Sequence, residues 1–392
     1  MSSPPISRRS MLWVLHPAMA LTGVAESITG PLLPALARAF HLSDTHSGFL
    51  VFCAFAGMAS GALLCRGDYA RLLTRGFLAM MLASALFPWI SRPVLFPYVF
   101  LFGVSVGVPM SAVSLFAGRN YTQHRAATLT VLNFSWSLGA LLAPLLAGRL
   151  LAVATWQAVY LVLAGAAAIL ALAAGLLVRD TPEAARITPE TTGLRNLRLV
   201  TLFAAFFFLE VGMESTFGAW LSTYMLRASG IGIAQAAAAA AIFWSGFLVS
   251  RGFSPLLLLR IRPGSLLRVA LPAALAGSIL LLATQSFLLT AAAILLLGAS
   301  LAPIFPVALS AFFDRARHTS DSRYILAFSG FGGSLFPWLV GFISSRSGSL
   351  RTSLLVGPVV LLFMTLMLPW LRMTQPAPSL VTAPTKAAEN LP

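Results

Sequence analysis

The sequence predicts an all-α membrane protein: twelve transmembrane helices folded as two pseudo-symmetric six-helix bundles. Three observations predict it: the apolar composition, the placement of the basic residues and an internal repeat. Of 392 residues, 58% are hydrophobic and 9% charged, with a mean hydropathy of +0.87. A bilayer-spanning helix uses about 20 apolar residues, so with short connections each span takes roughly 33 and the chain holds about twelve. This composition excludes a soluble globular domain. The apolar residues come in blocks, without heptads or strict alternation, which excludes a coiled coil and an outer-membrane barrel.

Turn signals and charges divide the chain in order. Span 1, at 11–37, begins after Ser7-Arg8-Arg9-Ser10, which is close to a twin-arginine export signal. Its apolar run continues through Glu26 into Pro31, so it reads as an uncleaved span. Spans 2 to 6 follow at 45–65, 76–91, 94–118, 127–150 and 155–178, separated by charges such as Arg66 to Arg75, Arg92, Arg119 and Arg149. The polar stretch 179–198, holding Pro182 and Pro189, is the cytoplasmic linker between an N-terminal bundle (1–178) and a C-terminal one (199–374). The second bundle reads as 199–227, 232–252, 266–284, 287–312, 322–345 and 352–371, and the Pro- and Ala-rich tail 375–392 is expected to be disordered.

The basic residues test this count independently. With a cytoplasmic N-terminus, 20 of the 26 fall on the inner side, and six (Arg38, Arg92, Arg149, Arg227, Arg346 and Arg351) on the outer. That bias supports an even number of spans and two cytoplasmic termini in an inner membrane. It also explains the net charge of +15 as topology, so no nucleic-acid partner is expected. Cys53 and Cys65 lie about three helical turns apart and imply no disulfide.

The repeat joins the two halves. Glu26-Ser27-Ile28-Thr29-Gly30 in span 1 recurs as Glu214-Ser215-Thr216-Phe217-Gly218 in span 7, at an offset of 188 residues. Gly61 to Arg66 matches Gly246 to Arg251 as G-x4-R at an offset of 185, and Gly139, Pro144 and Gly148 match Gly332, Pro337 and Gly341 at 193. Three matches at nearly one offset, in corresponding spans, indicate a duplicated six-helix unit, an architecture of alternating-access transporters.

Three acids lie well inside apolar spans: Glu26, Glu210 and Glu214. A charge at the centre of a membrane helix costs ~2.5–3.5 kcal/mol on insertion scales, so each needs a reason, and exchange of a coupling proton supplies one. The repeat puts Glu26 and Glu214 at equivalent positions; Glu210 has no counterpart, since Thr22 stands four before Glu26. Span 5 carries Asn133, Trp136, Ser137 and Ala140 on one stripe, and Trp244 and Trp338 are also membrane-embedded. Aromatic faces of this kind suit either sugar rings or apolar drugs. Trp220, Thr223 and Tyr224, toward the outer end of span 7, suit either a substrate site or an interfacial belt, and Gln235 is a further polar candidate. His16 reads as packing. No metal cluster, nucleophile elbow or phosphate loop is present, so neither an enzyme nor an ATP-driven pump is indicated.

These residues resemble the major facilitator superfamily across 11–372. Gly61-Ala-Leu-Leu-Cys65-Arg66 is similar to the superfamily's cytoplasmic-gate signature, which assigns gating to Gly61, Arg66, Gly246 and Arg251; Cys65 and Ser250 stand where that signature has an acid. Within the superfamily, Gly30-Pro31-Leu32-Leu33-Pro34, Gly212-Met213-Glu214 with Trp220 and Tyr224, and Ala302-Pro303-Ile304-Phe305-Pro306 resemble the fucose:proton symporters and their glucose-carrying relatives. The resemblance implies proton- or sodium-coupled sugar transport, with Glu26 near that family's span-1 acid. The family's second acid, in span 4, is missing here, where Tyr98, Ser105, Ser111 and Ser114 are the polar side chains. Gly139-x4-Pro144 is also similar to the signature of drug:proton antiporters, which keeps efflux open beside uptake; a non-transporting scaffold or sensor is a third reading. The expected partners are a small-molecule substrate and the bilayer, the expected state is a monomer, and no cofactor is expected beyond H+ or Na+.

Overall fold

A computed structural model describes residues 8–121, 125–178, 197–284, 286–313, 315 and 322–371. The first half consists of α1 (Arg8–Ser27) running into α2 (Thr29–Ala39), then α3 (Asp44–Leu64), α4 (Tyr69–Leu86), α5 (Leu95–Asn120), α6 (Arg125–Val153) and α7 (Trp156–Leu177). The second begins with α8 (Leu197–Ser229), followed by α9 (Ile233–Ala239) leading into α10 (Ala241–Leu258) and by α11 (Pro263–Ala283). It continues with α12 (Phe287–Leu301) leading into α13 (Ile304–Phe313), α14 (Ser322–Ser347), and α15 (Leu350–Ser353) leading into α16 (Val356–Met367). Counting each broken helix once gives twelve spans and, among the described residues, no strand. Ten of them are long and apolar enough to cross a membrane. The other two are α8, which carries Glu210 and Glu214, and α14, which is rich in Ser and Gly. The linker expected at 179–198 lies outside the described residues except for Leu197 and Arg198, which open α8, and the tail expected at 375–392 lies outside them entirely.

Several helices run past their sequence-read ends. The span expected from 76 starts at Tyr69, where the Asp68 side chain caps the helix by accepting the Arg71 N–H at 3.0 Å. Arg71, read as a loop residue, lies inside α4 with its guanidinium 3.1 Å from Asp68. Span 1 breaks at Ile28, where Pro31 has no N–H to offer the Ser27 carbonyl.

Packing follows the repeat. In the first half α1 packs on α6 and α3 on α5; in the second α8 packs on α14 and α10 on α12; between halves α3 meets α14, α6 meets α10, and α2 meets α8. A Cβ on Gly139 would overlap the Ala20 carbonyl of α1, and one on Gly332 would overlap the Phe208 carbonyl of α8. Those contacts carry the same offsets as the sequence repeats. On the pseudo-two-fold axis the two copies meet, because a Cβ on Gly30 would overlap the Gly218 carbonyl. Leu82, Leu172, Val269 and Phe363 project from α4, α7, α11 and α16, all more than half exposed. An apolar periphery of this kind faces lipid.

Candidate functional site

The two repeated E-S-x-x-G segments form opposite walls of one central cavity. Glu26, Ser27, Thr29 and Gly30 come from the α1–α2 span, and Glu214, Ser215, Gly218 and Ala219 from α8. Val51 and Phe55 of α3, Val211 of α8, Trp136 of α6 and Trp244 of α10 complete the lining. Trp136 and Trp244 meet edge to face across the bundle interface, with ring centroids 5.8 Å apart.

The acids are held differently. Glu26 accepts a hydrogen bond from the Trp136 indole N–H at 2.9 Å on Oε2. Glu214 lines the cavity one helical turn beyond Glu210. Glu210 is fully buried, does not line the cavity, and neither carboxyl oxygen has a hydrogen-bond partner. The charge shared by all three is Arg251 on α10. Its guanidinium crosses the interface between halves, donating to Ser137 Oγ at 3.0 Å and lying 4.4 Å from the Phe247 ring centroid and 5.7 Å from that of Trp136. Its Nε–H is buried and unpartnered.

A second cluster joins the halves at the face bearing the α2–α3 and α8–α9 connections. Asp44, at the start of α3, accepts two hydrogen bonds from Arg227 of α8, at 2.7 and 2.5 Å, and one from Ser344 of α14 at 2.5 Å. The Thr45 N–H donates to Ser345 Oγ at 2.9 Å. These contacts tie α3 of the first half to α8 and α14 of the second.

The Major Facilitator Superfamily model matches residues 15–324. The chain belongs to that superfamily. A glucose/mannose transporter, GlcP, of Bacillus subtilis is 23% identical over 352 residues, covering 84% of this chain and 87% of the relative. The human sodium-dependent glucose transporter 1 is 24% identical over 371 residues, covering 83% and 71%. Among solved structures, a D-xylose–proton symporter aligns with a TM-score of 0.77 over 94% of this chain and 99% of that one, at 13% identity. A point mutant of the nucleoside transporter NupG aligns with a TM-score of 0.75 over 93% and 100%, at 11% identity. The superfamily fold thus extends over nearly the whole chain, which is a multi-pass membrane transporter of a small molecule.

The structure brings Glu26, Glu214, Trp136 and Trp244 together at the cavity, with Ser137 and Arg251 beside it. Other residues singled out in the sequence fall elsewhere. Asn133 is exposed one turn away, and only its carbonyl, accepting from Ser137 at 3.1 Å, is tied in. Trp220 donates its indole N–H to the Pro337 carbonyl at 2.9 Å, and Tyr224 donates its hydroxyl to the Leu281 carbonyl at 3.0 Å, so both brace helices. Thr223 is buried with its hydroxyl unpartnered, and Gln235 is exposed on α9. His16 shares a 2.9 Å hydrogen bond with Ser135.

The gate quartet divides. Gly61 packs on the Val104 carbonyl and Gly246 on the Leu295 carbonyl in the same way. Arg66, however, is exposed in a loop while Arg251 is interior, because Gly67 takes a left-handed conformation (φ 94°) just after α3 ends, whereas Gly252 stays helical and α10 runs on to Leu258. Val51 and Phe55 in the lining, and Asp44 and Ser344, were not singled out in the sequence; Ser27, Thr29 and Ser215 were named as parts of the repeat and Arg227 as an outer basic residue, none of them as a site residue.

Proposed function

We propose that this chain is a proton-coupled sugar transporter of the plasma membrane, acting as a monomer by alternating access. The observation that carries the reading is the pair of repeat-related carboxyls, Glu26 and Glu214, on opposite walls of one cavity that also presents two indole rings. A ligand seated there touches both halves, so binding biases which side of the cavity is open. Trp136 and Trp244 offer ring faces on which a pyranose stacks, and the cavity wall offers Glu26, Thr29, Glu214 and Ser215 to substrate hydroxyls. The glucose/mannose transporter of Bacillus subtilis and the human glucose transporter, similar over most of the chain, support a hexose in particular.

The basic-residue bias supports cytoplasmic termini, with the Asp44–Arg227 cluster on the outer face. The proton exchanges at Glu214, which is open to the cavity; Glu26 is tethered by Trp136. Binding tests the substrate class. In thermal-shift measurements on purified protein, D-glucose or D-mannose should raise the unfolding temperature and tetraphenylphosphonium should not. Stabilisation by the cation alone would favour efflux of amphipathic compounds, which the mainly apolar lining and two carboxyls would also suit.

A further inference from the structure

We propose that Arg251 is the movable countercharge of the acid cluster: docked on Ser137 of the opposite half in the conformation described, and drawn back to Glu210 in its own half in the alternate one. This rests on the alternating-access reading and adds to it a residue and a step. A guanidinium keeps its charge at every physiological pH. A buried cation left with an unpaired N–H, beside a buried carboxyl with two unpaired oxygens, is a complementary pair held apart. Both belong to the second half, on α10 and α8; of the groups that hold Arg251 here, the Phe247 ring is on α10 itself, whereas the hydrogen-bond partner Ser137 and the Trp136 ring belong to α6 of the first. Separation of α6 from α10 removes those partners and leaves Glu210 and Glu214 to receive the guanidinium.

The charged groups acting on Arg251 are Glu214, Glu210 and Glu26, and those acting on Glu210 are Glu214 and Arg251. A neutral Glu210 offers Arg251 little, so the cross-interface dock to Ser137 wins and this side is closed. When Glu210 gives up its proton, by way of cavity-lining Glu214 one turn away, the resulting carboxylate attracts the guanidinium, the dock breaks and this side opens. The proton leaves to water through the cavity, and the charge created on Glu210 is met by Arg251 rather than buried alone. Coupling then follows from one cation having two alternative berths.

The test measures conformation and needs no substrate. Nitroxides on V131C of α6 and L256C of α10, both exposed positions, in a C53S/C65S background, report the distance between halves by pulsed electron resonance in phosphatidylethanolamine/phosphatidylglycerol nanodiscs. Wild type should shift from the shorter to the longer distance between about pH 5.5 and about pH 8.5, the population ratio changing about tenfold, as one ion pair per conformer gives. Glu210→Gln should stay short at both pH values, Arg251→Gln should lose the pH response, and Arg251→Lys, which keeps the charge, should retain most of it. Variants that follow wild type throughout would overturn the inference. So would a wild type with one unchanging distance; glucose counterflow, which needs no gradient, then shows whether alternating access falls with it.

Discussion

The two copies of E-S-x-x-G began as one motif and now do different things. In the first, Glu26 is tied to Trp136, and the helix breaks two residues on, where Pro31 cannot donate to Ser27. In the second, Glu214 has no Trp136 equivalent, α8 runs unbroken from Leu197 to Ser229, and a second acid, Glu210, sits one turn away. Duplication supplies symmetry, and side-chain differences supply direction: one wall holds its carboxyl in a fixed hydrogen bond, and the other leaves it to exchange protons within reach of Arg251. The glycines show the same asymmetry. A Cβ on Gly30 would strike the backbone carbonyl of Gly218, whereas one on Gly218 would meet only the edge of the Trp244 ring, at 3.3 Å.

Breaking the second copy should have the largest effect. Glu214→Gln keeps size and hydrogen bonding but removes the exchangeable proton. Gradient-driven glucose accumulation, about 50-fold for one charge at 100 mV, should collapse to equilibration in proteoliposomes while counterflow persists. Next, Gly30→Ala should cost about 1–3 kcal/mol of stability by overpacking against backbone that cannot move aside. Gly218→Ala should cost under about 1 kcal/mol, since a side chain can yield; chemical unfolding of the two variants compares them. Third, Trp136→Phe should lower unliganded stability by about 1–2 kcal/mol by leaving Glu26 without its donor. Trp244→Phe, whose indole N–H has no protein partner, should cost less than that, because only ring packing is lost. The smallest effect is expected at Asn133: its side chain is exposed outside the cavity, so Asn133→Ala should change sugar affinity less than about threefold, where a direct bond to a substrate hydroxyl would be worth about 5- to 150-fold.

The twelve spans were legible because membrane helices need uninterrupted apolar blocks, and the two-fold because duplication left polar and glycine landmarks at constant offsets. Glu26 and Glu214 were legible as cavity residues for the same reason. What the sequence hid depends on rotation and on termination. Asn133 shares a stripe with Trp136 and Ser137 on an ideal helix, yet it is a turn too far from the axis to reach the cavity. Trp220 and Tyr224 are polar at one end only, and each spends that end on a backbone carbonyl of a neighbouring helix. Arg66 and Arg251 occupy the same motif, each followed by a glycine, and the outcomes part because one glycine turns left-handed and the other does not. Asp44 and Arg227 lie 183 residues apart. Their pairing was hidden because nothing in either helix alone shows which charge it will face; the signal available was that both stand at the same end of their spans.

The central claim is that substrate and proton move through one cavity under the control of the second-copy acid. Glucose added to wild-type proteoliposomes enclosing a pH dye, with no sodium present and no imposed gradient, tests it most directly. The account predicts that glucose entry acidifies the lumen, and that the acidification disappears in Glu214→Gln while glucose exchange remains. Glucose entry with no pH change, or entry that requires added sodium, would contradict it.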